Sequence, residues 1–239
     1  VNVLAVITRE PGPGSNWHDT ITITMPKVGI LPRSAPLPLI ARDVTIIKTD
    51  DEAVVKGGRL EGLQGGHATI AAKADLPSLT AGGFSPEVEV AARGVPLTRL
   101  LLAALEADPD AAGVARSIAA LGASGVLDID ANTAPTPDGS PNFRVEVRGE
   151  GMAAAPTPPA GAGRVRVSGV SGTIVVTPDR VKADLSGALS TADNTPGGTG
   201  AVTLDRARST APGGPALTLR ATATDADASL AVEDFVRAF

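Results

Sequence analysis

The sequence contains no cysteine, no tyrosine and very few aromatic residues of any kind. Its 239 residues include four Phe and one Trp. Without cysteine there are no disulfides, no thiolate nucleophiles and no cysteine-based zinc sites. The shortage of aromatic rings argues against binding of single-stranded nucleic acid, whose bases stack on such rings. The 26 acidic residues outnumber the 21 Lys and Arg, so a basic surface that follows nucleic-acid phosphates is not expected either.

Long hydrophobic runs are also missing. No apolar run approaches the ~18 residues that a transmembrane helix needs. The chain opens on Val1 with no charged segment before an apolar stretch, which does not predict a signal peptide. It closes on Phe235, Val236 and Phe239, apolar residues at helical spacing. Both ends are interpreted as cut from a longer protein, and any signal or membrane anchor is expected outside these residues.

The apolar residues that are present, 43% of the chain, alternate with polar residues over many short segments. Val145 and Val147, for example, alternate with Arg144, Glu146 and Arg148. Successive side chains of a strand point to opposite faces, so each segment predicts one apolar and one polar face. Turns rich in Gly and Pro separate the segments. The pattern is typical of antiparallel strands that are covered on one side only.

One region breaks the alternation. Its apolar residues recur at helical spacing and predict two short helices, roughly over residues 97–106 and 110–121. Gly122 follows the second helix as its C-terminal stop. Residues 229–239 predict the start of an equivalent third helix.

The chain also contains two copies of one pattern. Residues 37–47 match residues 165–175 in their apolar positions and turns. Such self-similarity predicts repeated structural units. The interpretation divides the chain into a first copy over 1–122, truncated at its N-terminus and ending in helices, and a second copy over 123–239.

The order of segments within a copy resembles the repeating β-groove proteins of bacterial envelopes, the AsmA-like and TamB-like family. The segments that carry the resemblance in the second copy are 172–181, 185–189 and 200–204, and their counterparts in the first copy are 43–49, 60–63 and 66–70. The helical stretch that ends at Gly122, followed by residues 124–129, is similar to the helix and re-entry strand between two such repeats. The resemblance covers nearly the whole chain through loose patterns of small and apolar residues.

The resemblance implies a non-enzymatic segment of a cell-envelope protein. Members of the family are anchored in the inner membrane and extend into the periplasm as a long antiparallel sheet folded into a groove. The apolar concave side of that groove carries phospholipid acyl chains towards the outer membrane. For this chain the resemblance therefore implies acyl chains as partners, membrane contact through parts of the parent protein outside these residues, and a periplasmic location.

Together these observations predict a mainly β fold: an elongated, twisted antiparallel sheet of about a dozen strands, made of two tandem repeats, with short helices between and after them. The candidate lipid-binding residues are the inward apolar positions of each copy. In the first copy they are Ile21, Ile23, Leu37, Leu39, Ile46, Val88 and Val90. In the second they are Val145, Val147, Val165, Val167, Ile174, Val176, Val181, Ala183, Leu185, Leu217 and Leu219. A shift of one residue in any strand would move its set to the opposite face.

Catalytic and metal chemistry have weaker support. His18 begins a predicted strand, His67 follows two glycines in a predicted turn, and no Gly-x-Ser-x-Gly nucleophile motif is present. Asp128 and Asp130 open a calcium-loop-like sequence, but Thr133 stands where that loop requires Gly. The glycine-rich stretches lack the Gly-Lys-Ser/Thr of a phosphate loop. No enzymatic activity, cofactor or metal is therefore predicted.

Two alternatives from other classes stay open. One is a structural or adhesive β-repeat module of a surface protein, with a closed apolar core. The other is a carbohydrate-binding or hydrolytic β domain, which would stack sugars on exposed aromatic rings. Trp17 and Phe143, at matching places in the two copies, are the candidate rings for that role.

Overall fold

The structure, a computed structural model, describes most of the chain. The described residues are 1–9, 17–31, 37–63, 65–76, 86–107, 112–120, 122–134, 136, 142–154, 165–191, 196–207 and 217–224. They form a mainly β fold, as the alternation predicts. The third helix predicted over 229–239 lies outside the described residues.

Twelve strands account for most of the described backbone. They are β1 (Asn2–Arg9), β2 (Trp17–Ile30), β3 (Leu39–Lys48), β4 (Glu52–Leu63), β5 (Gly66–Asp75), β6 (Glu87–Pro96), β7 (Ser124–Thr133), β8 (Phe143–Ala154), β9 (Val165–Val176), β10 (Arg180–Thr191), β11 (Pro196–Ala207) and β12 (Leu217–Thr224). The strands form one sheet in which their order is the order along the chain, from β1 to β12. Pairing is antiparallel throughout the ladders from β1 to β6 and from β9 to β12.

Two short helices interrupt the strands, α1 (Arg99–Glu106) and α2 (Ala112–Ala120). Thr98 caps α1, because its Oγ1 accepts a hydrogen bond from the Leu101 backbone N–H at 3.2 Å. Gly122 follows α2 in a left-handed conformation with φ of 57°, as the predicted C-terminal stop requires. Within the described residues, no helix is long and apolar enough to cross a membrane.

Tight turns join β3 to β4 and β9 to β10, and both use the same chemistry. Thr49, between β3 and β4, donates its backbone N–H to the Glu52 carbonyl at 2.8 Å. Thr177, between β9 and β10, donates its N–H to the Arg180 carbonyl at the same distance. The Thr177 hydroxyl also donates to the Asp179 carboxylate at 2.7 Å, which lowers the pKa of Asp179. The turn predicted from Thr-Pro-Asp is thus present.

By its contacts the chain separates into two compact units. The first unit comprises Val1–Ile30, Pro38–Arg93 and Ile129–Val145. The second comprises Leu31–Leu37, Gly94–Asp128 and Glu146–Phe239, which include both helices.

In the first unit, the register of the ladder gathers the aliphatic residues on one side. Ile23 lies opposite Ile46, Ile46 opposite Val55, Val55 opposite Ala72, and Ala72 opposite Val88. Directly opposed residues of neighbouring strands point to the same side. Extending this rule along each strand defines the apolar face of the first unit: Val3, Ala5, Ile7, Ile21, Ile23, Met25, Val28, Ile30, Leu39, Ala41, Val44, Ile46, Ala53, Val55, Leu60, Ala68, Ile70, Ala72, Ala74, Val88, Val90 and Ala92.

The opposite side, the polar face, carries most of the charged side chains of the first unit. Arg42 pairs with Glu61 across β3 and β4, with Nε and Oε2 2.6 Å apart. The hydrogen bond from Arg42 lowers the pKa of Glu61, and the bond to Glu61 raises the pKa of Arg42. Lys73 and Glu52 pair at 2.8 Å across β5 and β4. Ion pairs between side chains this exposed contribute little to the free energy of folding. Their main effect is to keep the polar face hydrated.

Register shifts interrupt the two-residue alternation in β4 and β9. In β4, Val55 lies opposite Ala72 and Gly58 lies opposite Ile70, so three residues of β4 span two of β5. Gly57, within this step, is left-handed with φ of 56°. In β9, the three residues from Ser168 to Ser171 span two of β10, and Gly169 within this step is left-handed with φ of 59°. Asp43 in β3, Gly94 in β6 and Gly151 in β8 are also left-handed.

These steps are β-bulges, which add one residue and increase the local twist of a strand. The extra residue compensates for an apolar spacing of three, such as Val167 to Val170 in β9, and keeps both side chains on one face.

Candidate functional site

The structure places the candidate residues of the first copy on the apolar face, with one exception. Ile21, Ile23, Leu39 and Ile46 lie there on β2 and β3, and all four are half-buried. Val88 and Val90 lie there on β6 and are also half-buried. The exception is Leu37, which was expected in a strand: it is buried at 7% exposure but precedes β3, so no register assigns it a face.

The second unit has an equivalent apolar face. Ile174 lies opposite Ala183, and Ala183 lies opposite Leu204 on the next strand. Leu185 pairs in the same way with Val202. The candidates that this register places on one face are Val165, Val167, Ile174, Val176, Val181, Ala183, Leu185, Leu217 and Leu219, of which Val165, Leu217 and Leu219 are placed by their backbone positions.

The remaining candidates lie on β8. Val145 and Val147 are half-buried, and so is Glu146 between them, whereas Arg144 and Arg148 are exposed. Glu146 accepts a hydrogen bond from Arg148 Nε at 3.0 Å.

Charged groups stand only at the margin of the described apolar face of the first unit. Lys48 lies opposite Ile21 and Ala53, and Asp19 lies opposite Ile7. The two charges pair with each other, with Lys48 Nζ 2.7 Å from Asp19 Oδ2. Every other residue of the face whose side chain the structure describes is aliphatic, methionine or glycine, so this part of the face offers a ligand apolar contact and no side-chain hydrogen bonds.

Among the described residues of the apolar face, no large side chain is fully buried as in a domain core, and the buried hydrophobic residues are mostly Ala and Val. The most buried positions of the face are Ala41 at 0% and Ala68 at 2% exposure. Over Gly58 in β4, the Cγ2 atoms of Val44 and Ile70 each stand 3.2 Å from the place that a Cβ on that glycine would take.

The histidines do not form a catalytic arrangement with the groups described. His18 Nδ1 lies 2.7 Å from Asp50 Oδ2, and the backbone N–H of Asp19 donates to Asp50 Oδ1 at 3.0 Å. Hydrogen bonding to Asp19 and to the His18 ring lowers the pKa of Asp50 to about 2. These bonds fasten the turn after β3 to the start of β2. His67, expected in a turn, is instead the second residue of β5 and is exposed.

The calcium-loop-like acids have other partners. Asp130 pairs with Arg93 at 2.5 Å, and Asp128 accepts a hydrogen bond from the Gly94 backbone N–H at 2.9 Å. Asp128 thereby satisfies the N–H of the left-handed Gly94 in β6, a role that was not predicted from the sequence. In the part of the chain that the structure describes, no group of three or more His, Asp or Glu could hold a metal ion.

A shallow depression of about 310 Å³ lies on the second unit, between β9, β10 and β11. Ser171, Ser186 and Thr199 line it together with glycines of the same strands. Ser171 and Ser186 are direct cross-strand partners on the polar face. It was not predicted from the sequence, because its signal is the cross-strand pairing of small residues, which depends on the register of the strands.

Comparisons with known proteins returned nothing: no family model, no curated protein and no solved structure matches this chain. What the chain binds has to be inferred from its own side chains.

Proposed function

We propose that the apolar face binds the acyl chains of phospholipids, and that the chain is a non-enzymatic segment of a bacterial envelope protein that carries lipid between the inner and outer membranes. The observation that supports this is an aliphatic sheet face on which no described large side chain is fully buried. Covering apolar surface gains roughly 25 cal/mol per Å². A hydrocarbon chain fits such a face, because it needs no hydrogen bond from it.

The composition of the face supports an extended apolar ligand. Its members are Ala, Val, Leu, Ile and Met, and the small residues Ala68, Ala72 and Ala92 cluster on β5 and β6. Small side chains leave room for hydrocarbon above the sheet. Val44 and Ile70, from the strands on either side of Gly58, both lean over that glycine, and we take this as support for a concave apolar side in the first unit. The charged pair Lys48–Asp19 would stand at the rim of that groove.

We also propose that β1–β6 and β7–β12 are two copies of one six-strand unit, with α1 and α2 between them. The left-handed bulge residues Asp43 in β3 and Gly169 in β9 occupy corresponding strands of the two halves. In this proposal the parent protein lies in the periplasm and is anchored at the inner membrane by a part outside these residues.

Two neighbouring isoleucines provide a matched test of the proposed function. Ile46 lies on the apolar face opposite Ile23 and Val55, whereas Ile47 lies on the polar face opposite Thr22 and Val54. Both are half-buried. We expect Ile46→Arg to reduce bound phospholipid, measured by native mass spectrometry, at least tenfold, because it places a charge among the acyl chains. The control Ile47→Arg is expected to bind as the unaltered chain does.

Far-UV circular dichroism and a thermal melt of each variant separate lost binding from lost folding. The absence of cysteine allows a second readout, a fluorescent label on Ile46→Cys or Ile47→Cys. Vesicle lipids brominated in their acyl chains should quench the label at 46 and not at 47. Equal quenching at both positions, or a lipid-free chain in which Ile46→Arg merely unfolds, would replace the proposal with a structural module that has a closed core.

A further inference from the structure

Three cations lie side by side on the polar face of the first unit. Lys27 on β2 lies directly opposite Arg42 on β3, and Arg42 lies directly opposite Arg59 on β4. Directly opposed side chains point to the same side, with their Cβ atoms about 5 Å apart, so these three residues, the cationic row, span about 10 Å. Like charges in directly opposed positions destabilise a sheet. The stability of the fold therefore does not account for the row.

One carboxylate, that of Glu61, orients two of the three cations. Arg42 Nε donates to Glu61 Oε2 at 2.6 Å, and Arg59 Nε stands 3.8 Å from Glu61 Oε1. The hydrogen bond from Arg42 lowers the pKa of Glu61 most, and the charges of the other two cations lower it further. Glu61 is therefore ionised at neutral pH and holds both guanidinium groups through their Nε atoms.

The Nη atoms of these two arginines are left for another partner. Within the described part of the chain, Arg42 and Arg59 form no hydrogen bond or ion pair besides those with Glu61. Their side chains are 42% and 60% exposed. Other arginines of the sheet differ, because Arg93 and Arg180 each donate through Nη2 to an aspartate carboxylate. The cationic row thus presents two guanidinium forks to solvent.

The charges around the row leave an excess of two positive charges. The three cations are opposed by Glu61, and the neighbouring charges in the sequence of β3 and β4, Asp43 and Lys56, offset each other. Lys27 has no ion-pair partner among the described residues. This local excess occurs in a chain whose 26 acidic residues outnumber its 21 Lys and Arg. An anion with two negative charges would neutralise it.

We infer that the cationic row binds a phosphomonoester group, carried by a lipid headgroup or by a free phosphate ester. Such a group has a charge of about −1.5 to −2 at pH 7 and three strong acceptor oxygens. Guanidinium forks match phosphate oxygens in pairs, and the Lys27 ammonium supplies a third cation. A carboxylate ligand would bring one negative charge only. The inference does not depend on acyl-chain binding, because the cationic row and the apolar face lie on opposite sides of the sheet.

Titration calorimetry with glycerol 3-phosphate tests the row without any acyl chain. At low ionic strength we expect Arg59→Gln to weaken binding at least fivefold. The control Arg180→Gln removes the same charge from an arginine whose Nη2 already donates to a carboxylate, and should bind as the unaltered chain does. Arg42→Lys keeps the charge but loses the fork, so it should also bind more weakly. Equal weakening by Arg59→Gln and Arg180→Gln would overturn the inference.

A thermal melt followed by circular dichroism separates binding from folding. Arg59→Gln removes repulsion between opposed cations, so its melting temperature without ligand should equal or exceed that of the unaltered chain. A lower melting temperature together with unchanged binding of glycerol 3-phosphate would show that Arg59 serves the fold alone, and would refute the inference.

Vesicle flotation distinguishes the two sources of the phosphomonoester. Phosphatidylcholine vesicles that contain phosphatidic acid present a phosphomonoester, whereas those that contain phosphatidylglycerol present a singly charged diester. Preferential flotation with phosphatidic acid, lost in Arg59→Gln and kept in Arg180→Gln, would assign the row to a lipid headgroup. Binding of glycerol 3-phosphate without that preference would assign it to a free ester. If neither probe binds, or if polyglutamate binds as tightly as the phosphomonoester, the inference is wrong.

Discussion

At the scale of single residues, the left-handed bulge positions decide which side chains share a face. An L-amino acid in that conformation crowds its Cβ against the following carbonyl, at a cost of roughly 1–2 kcal/mol. Gly57 avoids this cost, and Asp43 is the only non-glycine residue with positive φ in the described backbone. Asp and Asn tolerate the conformation better than other residues, because their short side chains bond locally.

Substitutions at these two positions should act in opposite directions. Gly57→Ala meets no atom within 4 Å, so its effect is purely conformational, and we expect a loss of about 1 kcal/mol in the free energy of unfolding. Asp43→Gly relieves strain at φ of 54° and is expected to be neutral or slightly stabilising. Urea unfolding monitored by circular dichroism measures both. A stabilising Gly57→Ala would show that the bulge is absent in solution.

The lowered pKa of Asp50 predicts that the turn after β3 is sensitive to acid. Its folded pKa of about 2 lies below the ordinary 3.8, so its bonds stabilise the fold at neutral pH and are lost as the pH falls from about 4 to about 2. We expect the melting temperature to drop across that window, and Asp50→Asn to show a shallower drop. Asp51→Asn removes the same charge one residue further along and should retain the steep dependence. Identical profiles for the two variants would contradict the role of Asp50.

The face on which neighbouring residues of a strand lie was predicted correctly from the sequence. The places where the alternation of a strand is interrupted were not. Alternation is a local signal, so Ile21 and Ile23 were correctly expected to share a face, as were Val88 and Val90. The bulges escaped prediction because Ala41-Arg42-Asp43-Val44 merely breaks the period of two, as a loop would. Cross-strand partners such as Asp128 for the Gly94 N–H depend on register, which one strand alone does not encode.

At the scale of elements, the hairpin of β9 and β10 depends on one close approach. Gly172 lies opposite Leu185, and a Cβ there would overlap the Asp184 carbonyl oxygen and stand 2.9 Å from the Leu185 Cα. Only glycine fits that contact, since the obstacle is backbone. The same constraint appears at Gly125, where a Cβ would stand 2.9 Å from the Met152 Cα.

Gly172→Ala should therefore open the β9–β10 ladder. We expect a loss of about 1–3 kcal/mol, the usual cost of forcing an extra methyl into a packed position. Hydrogen exchange should accelerate in β9, β10 and β11, while amides of β3 and β4 keep their protection, because each ladder contacts only its neighbours. The matched control is Gly169→Ala, where nothing lies within 4 Å and only the left-handed conformation is strained. Uniform acceleration across all strands would instead indicate one cooperative unit.

At the scale of the whole molecule, the sequence predicted the fold class, the number of strands to within the stated dozen, and both helices between β6 and β7. Helices α1 and α2 begin within two residues of the predicted starts, because their apolar residues recur at helical spacing. The shared face of neighbouring candidate residues within one strand was predictable from their alternation. How deeply that face is buried was not predictable from periodicity, because a covered sheet and an uncovered one share the same alternation.

The strand order determines how such a protein can gain or lose strands. Because the order of the strands follows the chain, a hairpin can be inserted or deleted without rethreading any other strand. Each added hairpin widens the sheet by about 10 Å, at the ~4.8 Å spacing of neighbouring strands. It also returns the chain in its original direction, so the alternation of faces continues unchanged. Duplication of short gene segments is thus enough to change the width of the sheet.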